Sequence, residues 1–211
     1  MVEAAEDLGP RARAKRDQIL TGARRVFLRD GFAAASTDAV AAEAGVSKRT
    51  LYAYYPSKED LFVDVLRKLT IENPQTRVLE SVRLAEPRSR EELREALAEL
   101  ARKVVGIMMN PDYLALLRTI IADTHRFPQL GDLFRSTVPE RGLREVQAML
   151  ERAREHGVIG EVNFEVATRA FFGPLLTYAV IDGLFRPVGK PQPPSPETID
   201  EIVDLYIKAI A

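Results

Sequence analysis

Apolar residues recur three or four positions apart along almost the whole chain. This is the period of a helix with one buried face, and no alternating strand pattern interrupts it. Ile19, Ala23, Val26 and Phe27 form the first stripe, on a helix expected from about Ala14 to Asp30. Gly31 should end that helix and Phe32 turn back into a small core. Leu61, Val65 and Leu69 mark another helix, opened by Ser57 as N-cap and running towards Glu72, where Asn73-Pro74 disfavours continuation. Residues 74–87 read as a helical turn and a loop. Ser89 and Glu92 then form a capping box for a helix with Leu93, Leu97, Leu100, Val104 and Met108 facing inward. Asn110-Pro111 supplies the cap and first residue of the next, which carries Leu114, Leu117, Ile120 and Ile121. Phe127-Pro128 breaks it, and a short helix follows at 129–134. Thr137 and Glu140 form a second capping box, opening a helix to about His156 with Leu143, Val146, Leu150 and Ala153 inward. The last two helices run from about Asn163 to Phe185 and from Pro196 to Ile210, joined by a proline-rich extended connector. The pattern predicts an all-α protein of about nine helices, with a three-helix N-terminal head and a C-terminal helical body.

Residues 36–58 organise this arrangement. Thr37 is the expected N-cap of a short helix, and Asp38 suits its positive end. Gly45 closes that helix, because glycine accepts the left-handed conformation. Val46 plugs the angle between the helices, Ser47 caps a second helix from Lys48 to about Tyr54, and Pro56 stops it. This is a helix-turn-helix, with its second helix placed for a major groove. Lys48 and Arg49 lie in the first turn, where such a helix meets base edges, and both can donate to guanine O6 and N7. Thr50, Tyr52 and Tyr54 add hydroxyls able to reach phosphates, and Lys58 stands near the same backbone. Leu51 and Tyr55, four apart, face the core.

The ordered series Phe27, Gly31, Phe32, Thr37, Val40, Ala41, Ala44, Gly45, Val46, Ser47, Thr50, Leu51, Tyr52, Tyr55, Lys58, Glu59 and Leu61 resembles the DNA-binding domain of the TetR/AcrR family of bacterial transcriptional regulators. The resemblance covers residues 13–62. Many members have glycine before the Thr50-Leu51-Tyr52 triplet, where this chain has Arg49, and that departure should alter which bases are read. Residues 116–130 (LLRTIIADTHRFPQL), with the turn at 156–160 and the helix from Ala167 to Phe172, resemble the AefR-like class of TetR C-terminal domains. That resemblance implies a helical domain that binds a ligand and dimerises through its last two helices.

Charge and composition sharpen the picture. The stretch from Arg11 to Lys58 holds ten lysines and arginines against four acids, whereas the whole chain of 211 residues carries −1. A basic head on an acidic body suits contact with phosphates at one end. Residues 1–12 read as an unstructured arm with a basic end, 13–58 as the DNA-binding domain, and 59–211 as the ligand-binding and dimerisation domain. There is no cysteine, which excludes disulfides and thiolate sites and fits a reducing cytoplasm. The two histidines, His125 and His156, do not make a metal cluster. The first ten residues lack the apolar segment of a signal peptide. The apolar run from Ala170 to Ile181 reads as too short to span a bilayer.

That run is nevertheless apolar nearly all round, so it must be buried on every side. A second copy of the chain is the expected cover, through the helices at about 163–185 and 196–210. Apolar residues of the body helices with a few polar groups have the make-up of a small-molecule site. Met108, Leu117, Ile121, Phe127, Phe171 and Leu175 are the candidate walls, and His125 or Tyr178 the candidate polar anchor. Arg118 and Arg126 read as solvated. The expected function is a repressor that binds a palindromic DNA operator as a dimer and is released by a largely apolar effector. The expected place is the cytoplasm, at the nucleoid, with no cofactor, metal or membrane partner. Two alternatives stay open: a nucleoid-type protein binding DNA without specificity, and a helical enzyme. The enzyme reading has little to build on, because Asp123 and His125 are two apart on a helix and point in different directions.

Overall fold

The computed structural model describes residues 9–69, 78–137 and 139–210. Eleven α-helices follow one another: α1 Pro10–Ala34, α2 Thr37–Glu43, α3 Lys48–Tyr54, α4 Lys58–Leu69, α5 Val78–Leu84, α6 Arg90–Met108, α7 Pro111–Asp123, α8 Gln129–Thr137, α9 Pro139–Glu155, α10 Phe164–Tyr178 and α11 Pro196–Ile210. A π-helical turn, Ala179–Leu184, prolongs α10. Among the described residues there are no strands. The nine helices expected are present. The other two, α5 and α8, occupy the places expected of a helical turn and a short helix. The Asn73-Pro74 stop lies outside the described residues.

Most of the capping chemistry read from the sequence is made. The Ser47 hydroxyl accepts from the Thr50 N–H at 3.0 Å, Ser57 from Asp60 at 3.0 Å and Ser89 from Glu92 at 3.1 Å. The Asn110 side chain accepts from both Asp112 and Tyr113. Two expectations fail. The cap of α2 is Ser36, whose hydroxyl accepts from Ala39 N–H, so that Thr37 is already helical. Thr137 does not open α9 either. It ends α8, its hydroxyl donates back to the Leu133 carbonyl at 2.6 Å, and Glu140 pairs with Arg135 instead. The basic arm is corrected as well: α1 begins at Pro10, a residue preset for a first helical turn, so Arg11 and Ala12 are helical. At Gly31 the backbone leaves the helical region (φ 75°), and after this kink Phe32 enters the core as expected.

Two apolar cores form, and their membership revises the boundary at residue 58. In the head, Phe27, Phe32 and Phe62 pack ring against ring, with centroids 5.0–6.0 Å apart. Leu116 and Ile120 of α7 and Leu130 of α8 are buried in that same core, and Phe127 lies edge-on to Phe32 at 5.7 Å. Asp123 accepts a hydrogen bond from the Ala33 N–H at 3.0 Å. The continuous chain through α4 is therefore one of three connections, and α7 and α8 are wedged between head and body. The second core joins α6, α9, α10 and α11 around Leu97, Leu150, Phe171, Leu175 and Val203. Burying each such side chain stabilises the fold by about 1.5–3 kcal/mol. Arg118 is not solvated. It donates to the carbonyls of Gly183, Leu184 and Arg186 and so ties α7 to the end of the π turn.

Lys58 also has a role the sequence did not disclose. Its ammonium donates to the carbonyls of Phe32 (2.8 Å) and Ala35 (3.0 Å) and sits 4.4 Å above the Phe32 ring. It closes the end of α1 rather than reaching outward. Lys58→Ala is expected to lower stability by roughly 1.5–3 kcal/mol, the range for hydrogen bonds involving a charged group. It should leave the salt dependence of DNA binding unchanged. Chemical denaturation and DNA titrations at two salt concentrations check both halves.

Together α10 and the π turn span 21 residues and are long and apolar enough, by length and composition alone, to cross a bilayer. The helix extends beyond the expected apolar run, Ala170 to Ile181, at both ends. Ala167, Phe171, Leu175 and Ala179 nevertheless point into the body, as the core helix of a folded domain requires.

Candidate nucleic-acid interface and effector cavity

The helix-turn-helix is held from both sides. Gly45 adopts φ 63° at the turn, and the Gln18 side chain of α1 donates to the Ala44 carbonyl at 2.6 Å. Leu51 and Tyr55 anchor α3 in the head core. The Tyr55 hydroxyl donates to Asp64, which also pairs with Arg16 at 2.8 Å. Burial first, and the Asp64 charge second, push the Tyr55 phenol pKa up, so it stays a donor. The outer face is thereby fixed in orientation.

That face carries most of the residues picked out for DNA. The Thr37 and Tyr52 hydroxyls share a hydrogen bond at 2.9 Å across α2 and α3, and those of Ser47 and Thr50 share one at 2.8 Å. Lys48 forms an ion pair with Asp38. Arg49 is exposed and makes no hydrogen bond or ion pair among the described residues. Tyr54 is half-buried against the head core, and Lys58 is occupied as described, so these two stand apart from the group. Sequence reasoning missed Gln18, and it read Asp38 as a helix-end charge rather than as the partner of Lys48. Gln18 could not be found from the hairpin alone, because it reaches the turn from a helix 26 positions away.

The body contains a cavity of about 440 Å³, inside the range of small-molecule sites. Met108 and Leu117 line it as expected. The other six candidates do not. Phe171 and Leu175 face the body core, Phe127 packs on the head, Ile121 and His125 are exposed, and Tyr178 packs beside the core without reaching the cavity. The α10 wall is built from the adjoining face, Arg169, Phe172, Gly173 and Leu176, continued by Ala179 and Val180 of the π turn. Tyr113 of α7, Phe134 of α8 and Leu143 of α9 complete the circuit, with Val104 and Ile107 from α6. The 3.6-residue period could have indicated this neighbouring face, but not which of two apolar faces meets empty space.

Phe134 lines the cavity and also packs against the head core. On α7, Tyr113 and Leu117 face the cavity, while Leu116 and Ile120 lie in the head. Two helices, α7 and α8, thus contribute both to the cavity wall and to the core of the head. Among the described residues no group of three or more His, Asp or Glu side chains is placed to hold a metal ion.

A helix-turn-helix head on a hollow helical body defines a DNA-binding transcriptional regulator. The chain belongs to the tetR family of bacterial regulatory proteins: that family's N-terminal domain matches residues 19–65, and the C-terminal domain of AefR-like transcriptional repressors matches residues 95–210. It is therefore a regulator rather than an enzyme. A TetR-family transcriptional regulator from Mesorhizobium loti is similar over 95% of this chain and 96% of its own, at 25% identity and a TM-score of 0.72. The flavonoid-responsive regulator FrrA is 32% identical, over 94% of this chain and 97% of its own, with a TM-score of 0.66. A helix-turn-helix-type transcriptional regulator of Mycobacterium tuberculosis is 25% identical over 191 residues, 89% of this chain and 83% of that protein.

Proposed function

We propose that this regulator is a repressor that binds an inverted-repeat operator as a dimer and leaves it when a small, largely apolar molecule fills the cavity. The observation that carries the proposal is the double duty of α7 and α8, which wall the cavity and pack into the head core. Two recognition helices on one face of a duplex must stand about 34 Å apart. A ligand that shifts α7 or α8 shifts the head they support and changes that distance. It acts only to the extent that it binds the mis-spaced conformation better than the DNA-competent one. The match to AefR-like repressors supports the sign of regulation, and the likeness to FrrA supports a flat, mostly apolar effector of flavonoid type. The sequence-specific reading is favoured over a nucleoid-type role by Arg49, a free guanidinium held on a rigid outer face.

The DNA-facing set is Thr37, Ser47, Lys48, Arg49, Thr50 and Tyr52. Arg49 and Lys48 face bases and the hydroxyls face phosphates. The dimer face is the exposed apolar surface of α10, the π turn and α11, where Val166, Ile181, Phe185 and Leu205 stand in solvent in a single subunit.

The test is linkage. A coupling of about 1–3 kcal/mol changes operator affinity roughly 5- to 150-fold, and operator must weaken effector binding by the same factor. Flavone is titrated into the free protein and into the protein–operator complex, with the operator obtained by selection. Weaker binding to the complex is expected, and equal affinities would rule out the mechanism.

A further inference from the structure

We infer that the Tyr113 hydroxyl is the hydrogen-bond donor that anchors an oxygen-bearing effector inside the cavity. This rests on the reading of the cavity as an effector site. Three tyrosines of the chain are buried: Tyr55, Tyr113 and Tyr206. A buried phenol normally finds a partner. Tyr55 donates to Asp64 and Tyr206 to the Ala167 carbonyl, both at 3.0 Å. Tyr113 is 5% exposed, and its hydroxyl has no hydrogen-bond partner among the described residues. It stands in the cavity wall, among Val104, Ile107, Leu117 and Val180. The other charged or hydroxyl-bearing wall side chain, Arg169, is largely exposed and paired with Glu165 at 3.3 Å.

Position and protonation both suit a donor. The Tyr113 backbone is fixed in the first turn of α7 by the Asn110 side chain, which accepts from its N–H at 3.2 Å. Burial raises the phenol pKa with no charge opposing it, so the proton is retained at neutral pH. The hydroxyl is not sealed off: among the described residues the fully buried side-chain atom without a partner is Thr168 Oγ1, so the Tyr113 hydroxyl keeps accessible surface. A carbonyl or ether oxygen on the ligand takes up that donor, whereas a ligand with many polar groups would leave its own unpaired against the remaining walls. The favoured class is therefore a mainly hydrocarbon, flat or elongated molecule with a hydrogen-bond-accepting oxygen at the end that meets α7. Because Leu116 and Ile120 of this helix sit in the head core, the anchor lies on the element that reports to the DNA-binding end.

The experiment uses the full chain and a matched pair of probes: flavone, which carries a carbonyl and a ring oxygen, and 2-phenylnaphthalene, which has a similar outline and no oxygen. Affinities are measured by titration for the wild type and for Tyr113→Phe. The wild type is expected to prefer flavone, and Tyr113→Phe to weaken flavone roughly three- to tenfold while leaving 2-phenylnaphthalene unchanged. Without ligand, Tyr113→Phe should melt no lower than the wild type, since an unpartnered hydroxyl contributes nothing to the fold. Equal weakening of both probes, or a lower melting temperature without ligand, would assign Tyr113 a packing role and overturn the inference alone. Failure of the wild type to bind either probe at its solubility limit would overturn the cavity reading together with it.

Discussion

Ile181→Asp combined with Leu205→Asp is expected to turn a dimer into a monomer and to reduce operator affinity by about 10²- to 10⁴-fold, the range over which a linked second binding module contributes. The two side chains are 57% and 67% exposed in one subunit, and Phe185, just past the end of the π turn, is 79% exposed. Large apolar side chains exposed on the π turn and on α11 make up part of the face proposed for the partner subunit. An interface of this kind buries on the order of 2,000 Å² or more. Aspartate placed there leaves a desolvated charge without a partner, at a cost of several kcal/mol for each ion. Neither residue belongs to the body core, so helical content should be retained, which circular dichroism checks. Leu175 is unsuitable for this purpose. It is 1% exposed inside the body core, and Leu175→Asp would unfold the body rather than separate the subunits. Sedimentation of the double variant as a dimer at micromolar concentration would contradict the assignment of this face.

Arg49→Ala is expected to cost about 1–3 kcal/mol on the preferred operator and to relax the sequence preference at the base pair it contacts. The reason lies in what the neighbouring cations are doing. Lys58 is spent on two backbone carbonyls and Lys48 is paired with Asp38, whereas Arg49 has no partner to leave when it meets DNA. Its planar guanidinium can also grip guanine O6 and N7 together. Lys48→Ala should have a smaller effect, because base contact by Lys48 is offset by loss of the Asp38 pair. Comparing each variant on the preferred operator and on a scrambled duplex separates loss of specificity from loss of general affinity.

What could be read from the sequence was mostly local. The Ser47, Ser57, Ser89 and Asn110 caps were legible because each depends on a side chain and an N–H only two or three residues away. The same rule misled at Thr137, because a threonine hydroxyl can also donate back to the carbonyl four residues earlier and end a helix instead of starting one. Lys58 read as a DNA contact because a cation on a basic domain is first assumed to face outward. Its true partners, Phe32 and Ala35, come next to it only after α1 has turned back at Gly31. The cavity was legible as a composition but not as a place. On α10 the choice between Phe171 with Leu175 and Phe172 with Leu176 turns on packing by α6 and α11, and an all-round apolar helix carries no periodic mark of it. Tyr113 escaped notice because nothing in the sequence shows that its hydroxyl has no protein partner or that its side chain lines the cavity.

The central claim is that this chain reads a two-fold symmetric DNA sequence through the outer face of α3. Selection of bound duplexes from a randomised double-stranded library, with the full chain at fixed salt, tests it most directly. An inverted repeat with half-sites one helical turn apart should be enriched, and Arg49→Ala should lose information at one symmetric position in each half. Recovery of no shared motif, with all duplexes bound equally well, would contradict it.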